Sequence, residues 1–290
     1  MINNVLIVSN KDRDAGYQYA QKTAVCCQKL GAAVYAEQSV CDALQGQAEL
    51  IPFDFSGVEE SNIDLCIVLG GDGTVLNTVK RLKCSNIPLL GINAGHLGYL
   101  TQIGKEDMES VLPDLFQNGF EIDRRFLIKA TLYRDGKEAG VLRALNEISL
   151  HRGSGRKVMQ IGVSVNDCSI DTFYADGMLV CTPTGSTAYN LSAGGPVAQP
   201  SAPVMIITPI CSHNMASPSV VTGATDTIIW QVKKTDDGVD GVLSADSGDE
   251  IGVKAGDEVR ITKSAQNLLL VKWGENNFYK ILQQKLYNRT

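Results

Sequence analysis

An acidic side chain inside a run of glycines is the feature of this chain best suited to chemistry: Gly70-Gly71-Asp72-Gly73-Thr74. The run follows an almost wholly apolar stretch, residues 63–69. It leads into residues 74–82, where Val75, Leu76 and Val79 are spaced as on a helix face. A strand that breaks into glycines and restarts as a helix presents backbone N–H groups at the positive helix end, which suits phosphate. Anion binding alone would exclude a carboxylate from that turn. Asp72 therefore needs another role, either orienting a hydroxyl or taking its proton beside a metal-bound phosphate. The competing reading is a plain turn, because Asp-Gly and Gly-Gly pairs are common in turns. The run is neither a Walker A loop nor a Rossmann fingerprint, since no Gly-Lys-Ser/Thr follows and the Gly-x-Gly-x-x-Gly spacing is missing.

Three further clusters carry polar groups in strand-end positions. Gly91-Ile92-Asn93-Ala94-Gly95-His96-Leu97-Gly98-Tyr99-Leu100 follows another apolar run. Tyr99 there is suited to stacking on a base or nicotinamide ring, or equally to a core contact. His96 reads as a structural histidine in a turn. Asn146-Glu147 places an amide and a carboxylate side by side within an apolar segment. Such a pair can grip vicinal sugar hydroxyls, or simply end a strand. The longest cluster runs from Asp176-Gly177 through Thr182-Pro183-Thr184-Gly185-Ser186-Thr187-Ala188-Tyr189 to Ser192-Ala193-Gly194-Gly195-Pro196. Its hydroxyls supply donors, and its glycines allow a planar ligand close to the backbone. Helix capping explains single residues of that stretch but not the run as a unit.

These clusters need elements to hold them. Residues 5–8, 32–36, 63–69 and 87–92 read as strands, and 12–30 and 106–118 as helices, with Gly31 stopping the first helix. The alternation predicts a parallel α/β domain, and two Gly-rich turns after neighbouring parallel strands fall at the carboxyl edge of one sheet, where ligands bind. From about residue 124 the texture changes. Residues 127–133, 161–165, 178–181, 204–207, 227–232 and 259–261 read as short strands separated by turns such as Arg134-Asp135-Gly136-Lys137. This predicts a β-sandwich-like all-β domain. The tail, 277–286, reads as a helix returning to the first domain. The expected division is 1–123, 124–272 and 273–290.

At 290 residues, 44% hydrophobic and 20% charged, with a net charge of −6, the chain has the composition of a soluble globular protein without the basic face a general nucleic-acid binder needs. No apolar run approaches the ~20 residues of a membrane span. The short apolar run near the start lacks the basic leader of a signal peptide, so a cytoplasmic location is expected. The 8 cysteines form no Cys-x-x-Cys pair and read as buried thiols.

Taken together the four clusters resemble the NAD kinase family, in their order, spacing and extent along essentially the whole chain. The matching motifs are the Gly-Gly-Asp-Gly-Thr run, the Asn-Glu pair and the stretch from Thr182 to Pro196. The first is shared with diacylglycerol, sphingosine and phosphofructokinase families; the later two are more specific. The resemblance implies phosphoryl transfer from ATP, with Mg²⁺ or another divalent metal, to the adenosine ribose 2′-hydroxyl of NAD, giving NADP. It implies Asp72 as general base and Gly73 as the contact beside it. Gly70, Gly71, Gly73 and Thr74 would cradle donor phosphates, and Tyr99 would lie near the nicotinamide end. Asn146, Glu147 and Asp176 would hold NAD's polar groups, while Thr187, Ala188, Tyr189 and Ser192 would shape the adenosine contacts. Lys157 falls near a position that is often basic. A homodimer or homotetramer is the implied assembly.

The chain departs from that family at Tyr174 and Ser217, where arginine is usual, and at Asp246-Ser247-Gly248, where a glutamine is common. The residues lost are mostly cations near phosphate, which bears on NADP affinity rather than on the reaction class. Two other readings remain open at this point. One is a lipid or sugar-phosphate kinase of the same superfold. The other is a non-catalytic nucleotide sensor, which the intact Asp72 disfavours.

Overall fold

Among the described residues one large apolar core belongs to each of two units, and a smaller cluster of Leu179, Cys181, Ile206 and Ile210 lies in the second. A computed structural model describes residues 1–83, 86–95, 98–153, 158–233, 241–246, 248–274 and 278–287. His96 and Lys157, with Cys84 and Ser247, lie outside the described residues. Unit one comprises Met1–Arg124 and Asn267–Thr290; unit two is Arg125–Gln266.

In the first unit the apolar runs form β1 (Asn4–Ser9), β2 (Ala33–Ala36), β3 (Ile51–Pro52), β4 (Leu65–Gly70), β5 (Leu89–Asn93) and β6 (Ile103–Gly104). The helices are α1 (Gln18–Lys29), α2 (Gln38–Ala43), α3 (Asp72–Arg81) and α4 (Met108–Asn118). The strands pair in parallel in the order β3-β2-β1-β4-β5, with β6 also parallel to β5. β4 is buried at every residue, as a central strand covered on both faces should be. Val5, Ile7, Ile67, Leu90 and Ile92 of the sheet join Ala24 and Cys27 of α1 and Leu112 of α4 in one core.

The first helix starts later than its periodicity predicts. Gly16 and Tyr17 take left-handed φ of 67° and 55°, so residues 15–17 form only a 3₁₀ turn. The buried Asp14 then closes the start of α1 by accepting from the N–H of Tyr19 (2.9 Å) and of Ala20 (3.0 Å).

The second unit is two antiparallel sheets. Its strands are β7 (Glu121–Arg134, which starts in the first unit), β8 (Lys137–Ala144), β9 (Glu147–Arg152), β10 (Met159–Val165), β11 (Cys168–Ala175), β12 (Gly177–Cys181), β13 (Val204–Ile210), β14 (Val220–Gly223), β15 (Ile228–Val232), β16 (Gly241–Ala245), β17 (Asp249–Val253) and β18 (Glu258–Lys272). One sheet runs β11-β10-β15-β18, with β18 followed by β7 and β8. The other runs β14-β13-β12-β9-β16-β17. Ile161, Trp230 and Ile261 of the first meet Ile148, Met178, Ile207 and Leu243 of the second in a shared core. A short helix, α5 (Tyr189–Ser192), follows the 3₁₀ turn Thr184–Thr187.

Not all strands here are short: β7 has 14 residues and β18 has 15. The thiols also differ from expectation. Cys27, Cys66 and Cys181 are buried, but Cys168 and Cys211 are exposed. Cys168 follows the tight turn Asn166-Asp167 at the start of an edge strand, and Cys211 takes a left-handed φ of 48° just past β13. Neither position lies under a second layer.

The chain re-enters the first unit at the end of β18, where Leu270 pairs in parallel with Leu89 of β5. A last helix, α6 (Phe278–Leu282), and a π-turn over Gln283–Tyr287 complete that unit.

Candidate active site

In the first unit the glycine turn joins the end of β4 to the start of α3. Gly70 is required by packing, because a Cβ there would lie 2.3 Å from Thr74 Oγ1. Thr74 Oγ1 in turn accepts from Asn10 Nδ2 at 3.3 Å, at the carboxyl end of β1. Gly71 and Gly73 have nothing within 4 Å of a would-be Cβ, so the space beside their backbone is open. The N–H groups of Asp72 and Gly73 have no partner within the helix, whereas that of Thr74 donates to Gly71 O at 2.9 Å. Open backbone and unpartnered amides are what a phosphate needs.

Asp72, the first residue of α3, draws the second glycine cluster to the first. Its Oδ2 accepts from the N–H of Tyr99 at 2.8 Å. Its Oδ1 accepts from the N–H of Leu100 at 2.9 Å and, at 3.3 Å, from the N–H and hydroxyl of Thr101. Gly98 is glycine for the same reason: a Cβ would stand 2.0 Å from Asp72 Oδ1. Oδ1 is therefore filled. Oδ2 takes a single hydrogen bond and keeps room for another donor, and the side chain is 29% exposed.

The face of Tyr99 is not empty. Phe278 of α6 lies with its ring centroid 6.2 Å away, and Lys285 Nζ sits 4.7 Å from the Tyr99 centroid. The same ammonium is 3.9 Å from Asp72 Oδ2. The Tyr99 hydroxyl is buried without a hydrogen-bond partner; burial, then the Asp72 charge, pushes its pKa up. Lys285 gave no signal in the sequence, because it lies in a lysine-containing tail far from the motif it meets.

In the second unit Asn146 and Glu147 are pinned from behind by Asp246. Its carboxylate accepts from the N–H of Leu145 (2.8 Å), Asn146 (2.8 Å) and Glu147 (3.1 Å). This is the work of the residue that opens the Asp246-Ser247-Gly248 segment. The Asn146 side chain is half-buried and makes no hydrogen bond among the described residues. Glu147 is buried, and its Oε2 has no partner. Burial, reinforced by the Asp246 charge, pushes its carboxyl up to about 8, so it keeps its proton at neutral pH.

The run from Thr182 docks on this pair. The N–H of Thr182 donates to Asn146 O at 2.8 Å, and its hydroxyl to Leu145 O at 2.5 Å. Gly185 presses on Asn146 itself, since a Cβ would lie 2.2 Å from Asn146 O. The close approach that this glycine permits is thus made by the chain's own backbone. Behind the run the buried Asn190, not singled out by its sequence, donates to Ser186 O and Pro196 O and accepts from Thr208. Thr187, Ala188 and Tyr189 are left half-buried and Ser192 exposed.

Two more residues without a sequence signal border that run. His151 stacks on Tyr189, with ring centroids 5.6 Å apart, and burial holds its imidazole below the ordinary value. Arg152 Nε donates to Asp176 Oδ1 at 2.6 Å, so Asp176 is already paired with a cation. Tyr174 stands on the edge strand β11, 44% exposed, its N–H donating to Asn214 Oδ1 at 2.9 Å.

Among the described residues no group of three or more His, Cys, Asp or Glu side chains is placed to hold a metal ion, and no helix is long and apolar enough to cross a membrane.

Residues 5–120 match the family described as the ATP-NAD kinase N-terminal domain, and residues 145–273 match the ATP-NAD kinase C-terminal domain. A Symbiobacterium thermophilum protein named NAD kinase is 35% identical over 97% of this chain and 97% of its own length. A Caldanaerobacter subterraneus protein of the same name is 37% identical over 79% of this chain and 80% of its own. The crystal structure of yeast NADH kinase complexed with NADH superposes with a TM-score of 0.90 at 22% identity, over 100% of this chain and 89% of that one. An Archaeoglobus fulgidus NAD kinase in complex with ATP gives 0.76 at 24% identity, over 97% and 98%. At these identities the two solved structures establish the fold.

Proposed function

Because the chain belongs to the ATP-NAD kinase family, we propose that it transfers the terminal phosphate of ATP to the adenosine ribose 2′-hydroxyl of NAD, giving NADP. The observation that carries the chemistry is the Asp72 carboxylate, fixed by the Tyr99 and Leu100 amides with Oδ2 still able to accept a proton. Asp72 orients the hydroxyl and takes its proton as the new O–P bond forms. A carboxylate is a weak base near neutral pH, so positioning contributes more than basicity. Donor phosphates lie against the open backbone of Gly71 and Gly73.

The second unit holds NAD. The Asn146 amide and the protonated Glu147 offer both donor and acceptor groups. Thr187, Ala188, Tyr189 and Ser192 shape the adenosine contacts. Asp176, oriented by Arg152, meets the nucleotide's hydroxyls, and Tyr174 faces the product's 2′-phosphate.

Mg²⁺ keeps several waters and is bound mainly through substrate phosphates with one or two carboxylates, so the lack of a side-chain cage among the described residues fits a metal that enters with the donor. Bound there, it screens the phosphate charge. The reading extends to a homodimer or homotetramer in the cytoplasm, on the family resemblance, and sedimentation would test the assembly.

The deciding experiment incubates the purified protein with Mg-ATP and, separately, NAD, NADH and a panel of lipids. NADP formed from NAD is the expected outcome. Phosphorylated lipid, or no product from either dinucleotide, would overturn the reading.

A further inference from the structure

We propose that Lys285 is a catalytic residue, whose ammonium holds the terminal phosphoryl group of the donor from the bound triphosphate through its transfer. The proposal rests on the reading of Asp72 as the group that takes the hydroxyl proton. It is carried by where the C-terminal segment of the first unit puts one cation.

Ile281 is buried and Phe278 lies against Tyr99, so α6 is anchored. The turn that follows brings Lys285 Nζ to 3.9 Å from Asp72 Oδ2 and 4.7 Å from the centre of the Tyr99 ring. The first distance is too long for a hydrogen bond, and the ring face takes only the charge. Lys272 and Glu121, an ordinary pair in the same unit, close to 2.9 Å. Lys285 makes no hydrogen bond among the described residues, which leave its three N–H donors open. An ammonium held this near a carboxylate, yet not spent on it, is disposed toward a second anion.

The identity of that anion follows from the chemistry at Oδ2. A hydroxyl giving its proton to Oδ2 has its oxygen about 2.7 Å away. The phosphorus bonds to that same oxygen, so its non-bridging oxygens come within hydrogen-bond reach of an ammonium on the Oδ2 side. In the step the hydroxyl O–H bond breaks and its proton goes to Asp72. A new O–P bond forms, and the O–P bond to the leaving nucleoside diphosphate breaks. Lys285 exchanges no proton; it donates hydrogen bonds to an oxygen that stays anionic throughout. The glycine turn, residues 70–74, contains no lysine. The tail supplies the cation instead.

The test uses the full chain with Lys285→Met, Lys285→Arg and, as a control on the exposed face of α6, Lys280→Met. Three quantities are measured: kcat and KM for both substrates, the Kd of ATP titrated without acceptor, and the thermal midpoint. Lys285→Met is expected to lower kcat ~10²-fold and to weaken ATP ~10-fold, with KM for NAD within about 2-fold and the midpoint unchanged. Lys285→Arg should restore most of both losses, and Lys280→Met should behave as wild type. Unchanged kcat and ATP affinity in Lys285→Met would overturn the proposal. So would a rise in kcat, the mark of a tail that merely blocks Asp72. So would losses that arginine does not rescue, or that track a falling midpoint in both variants. A wild-type protein that binds ATP more tightly than Lys285→Met but phosphorylates no NAD would instead sink the functional reading and leave Lys285 as a phosphate ligand.

Discussion

Asp72 is tied to Tyr99 through the backbone: the Tyr99 N–H donates to Asp72 Oδ2 at 2.8 Å while the neighbouring Leu100 N–H donates to Oδ1 at 2.9 Å. One side chain thus holds the start of α3 to the loop after β5. Asp72→Asn should fail on two counts. Its amide nitrogen must oppose one of the two backbone donors, and the proton acceptor is gone. We expect kcat to fall ~10²-fold or more and stability to drop by about 1–3 kcal/mol. Steady-state kinetics with a parallel denaturation curve checks both. A variant with wild-type turnover would remove Asp72 from the role of base.

Glu147 gives a pH signature. Below about 4.5 its carboxyl is protonated in folded and unfolded chains alike; from there to about 8 only the folded chain keeps the proton. Its contribution is therefore fully present at low pH and is lost as pH rises across that window. Glu147→Gln removes this slope. The variant should gain on the wild type between pH 5 and pH 8, by on the order of a few kcal/mol. Urea unfolding of both proteins at three pH values would show it, and parallel stability profiles would mean that the carboxyl titrates normally.

Gly185→Ala should separate the Thr182 run from Asn146. The added methyl would meet backbone rather than a movable side-chain end, with Asn146 O, C and Cα at 2.2, 2.5 and 2.6 Å. A loss of about 2 kcal/mol or more is expected, together with weaker NAD binding. Thermal melts and calorimetry would test this; a variant as stable as the wild type would contradict the packing.

Tyr174→Arg puts a cation on an exposed edge-strand position that has room for it. Arginine–phosphate pairs are charge-assisted and often bidentate, so NADP should bind ~5–10-fold tighter while NAD changes little. Calorimetry with both nucleotides decides. Equal effects on the two would show that residue 174 does not face the 2′-phosphate.

The Asp72 turn is legible in the sequence because local rules agree there: a doubly buried strand, glycines, then a helix whose first residue is Asp72 itself. The Asp135-Gly136 turn is legible for the same reason, with both residues at positive φ between β7 and β8. The length of β7 is not, because Asp123, Arg124, Arg125 and Lys129 interrupt its apolar pattern. Gly185 suggests a ligand's approach, yet its neighbour is Asn146, since a glycine reports that something comes close but not what. The pairing of Asp246 with the 145–147 amides and of Lys285 with Asp72 leaves no periodic trace, because each joins segments remote in sequence.

The first unit is written in two pieces, with residues 125–266 between them. On a ribosome adding roughly 5–20 residues per second, Asp72 emerges on the order of ten seconds before the strand around Leu270 and the turn bearing Lys285. For that interval β5 lacks the neighbour it gains at Leu89, and the Asp72 carboxylate has no ammonium beside it. A nascent chain that has not yet reached residue 285 thus carries the Gly-Gly-Asp-Gly-Thr turn without Lys285 beside it. The two charges that face one another at the glycine turn are brought together only after the whole of the second unit has been made.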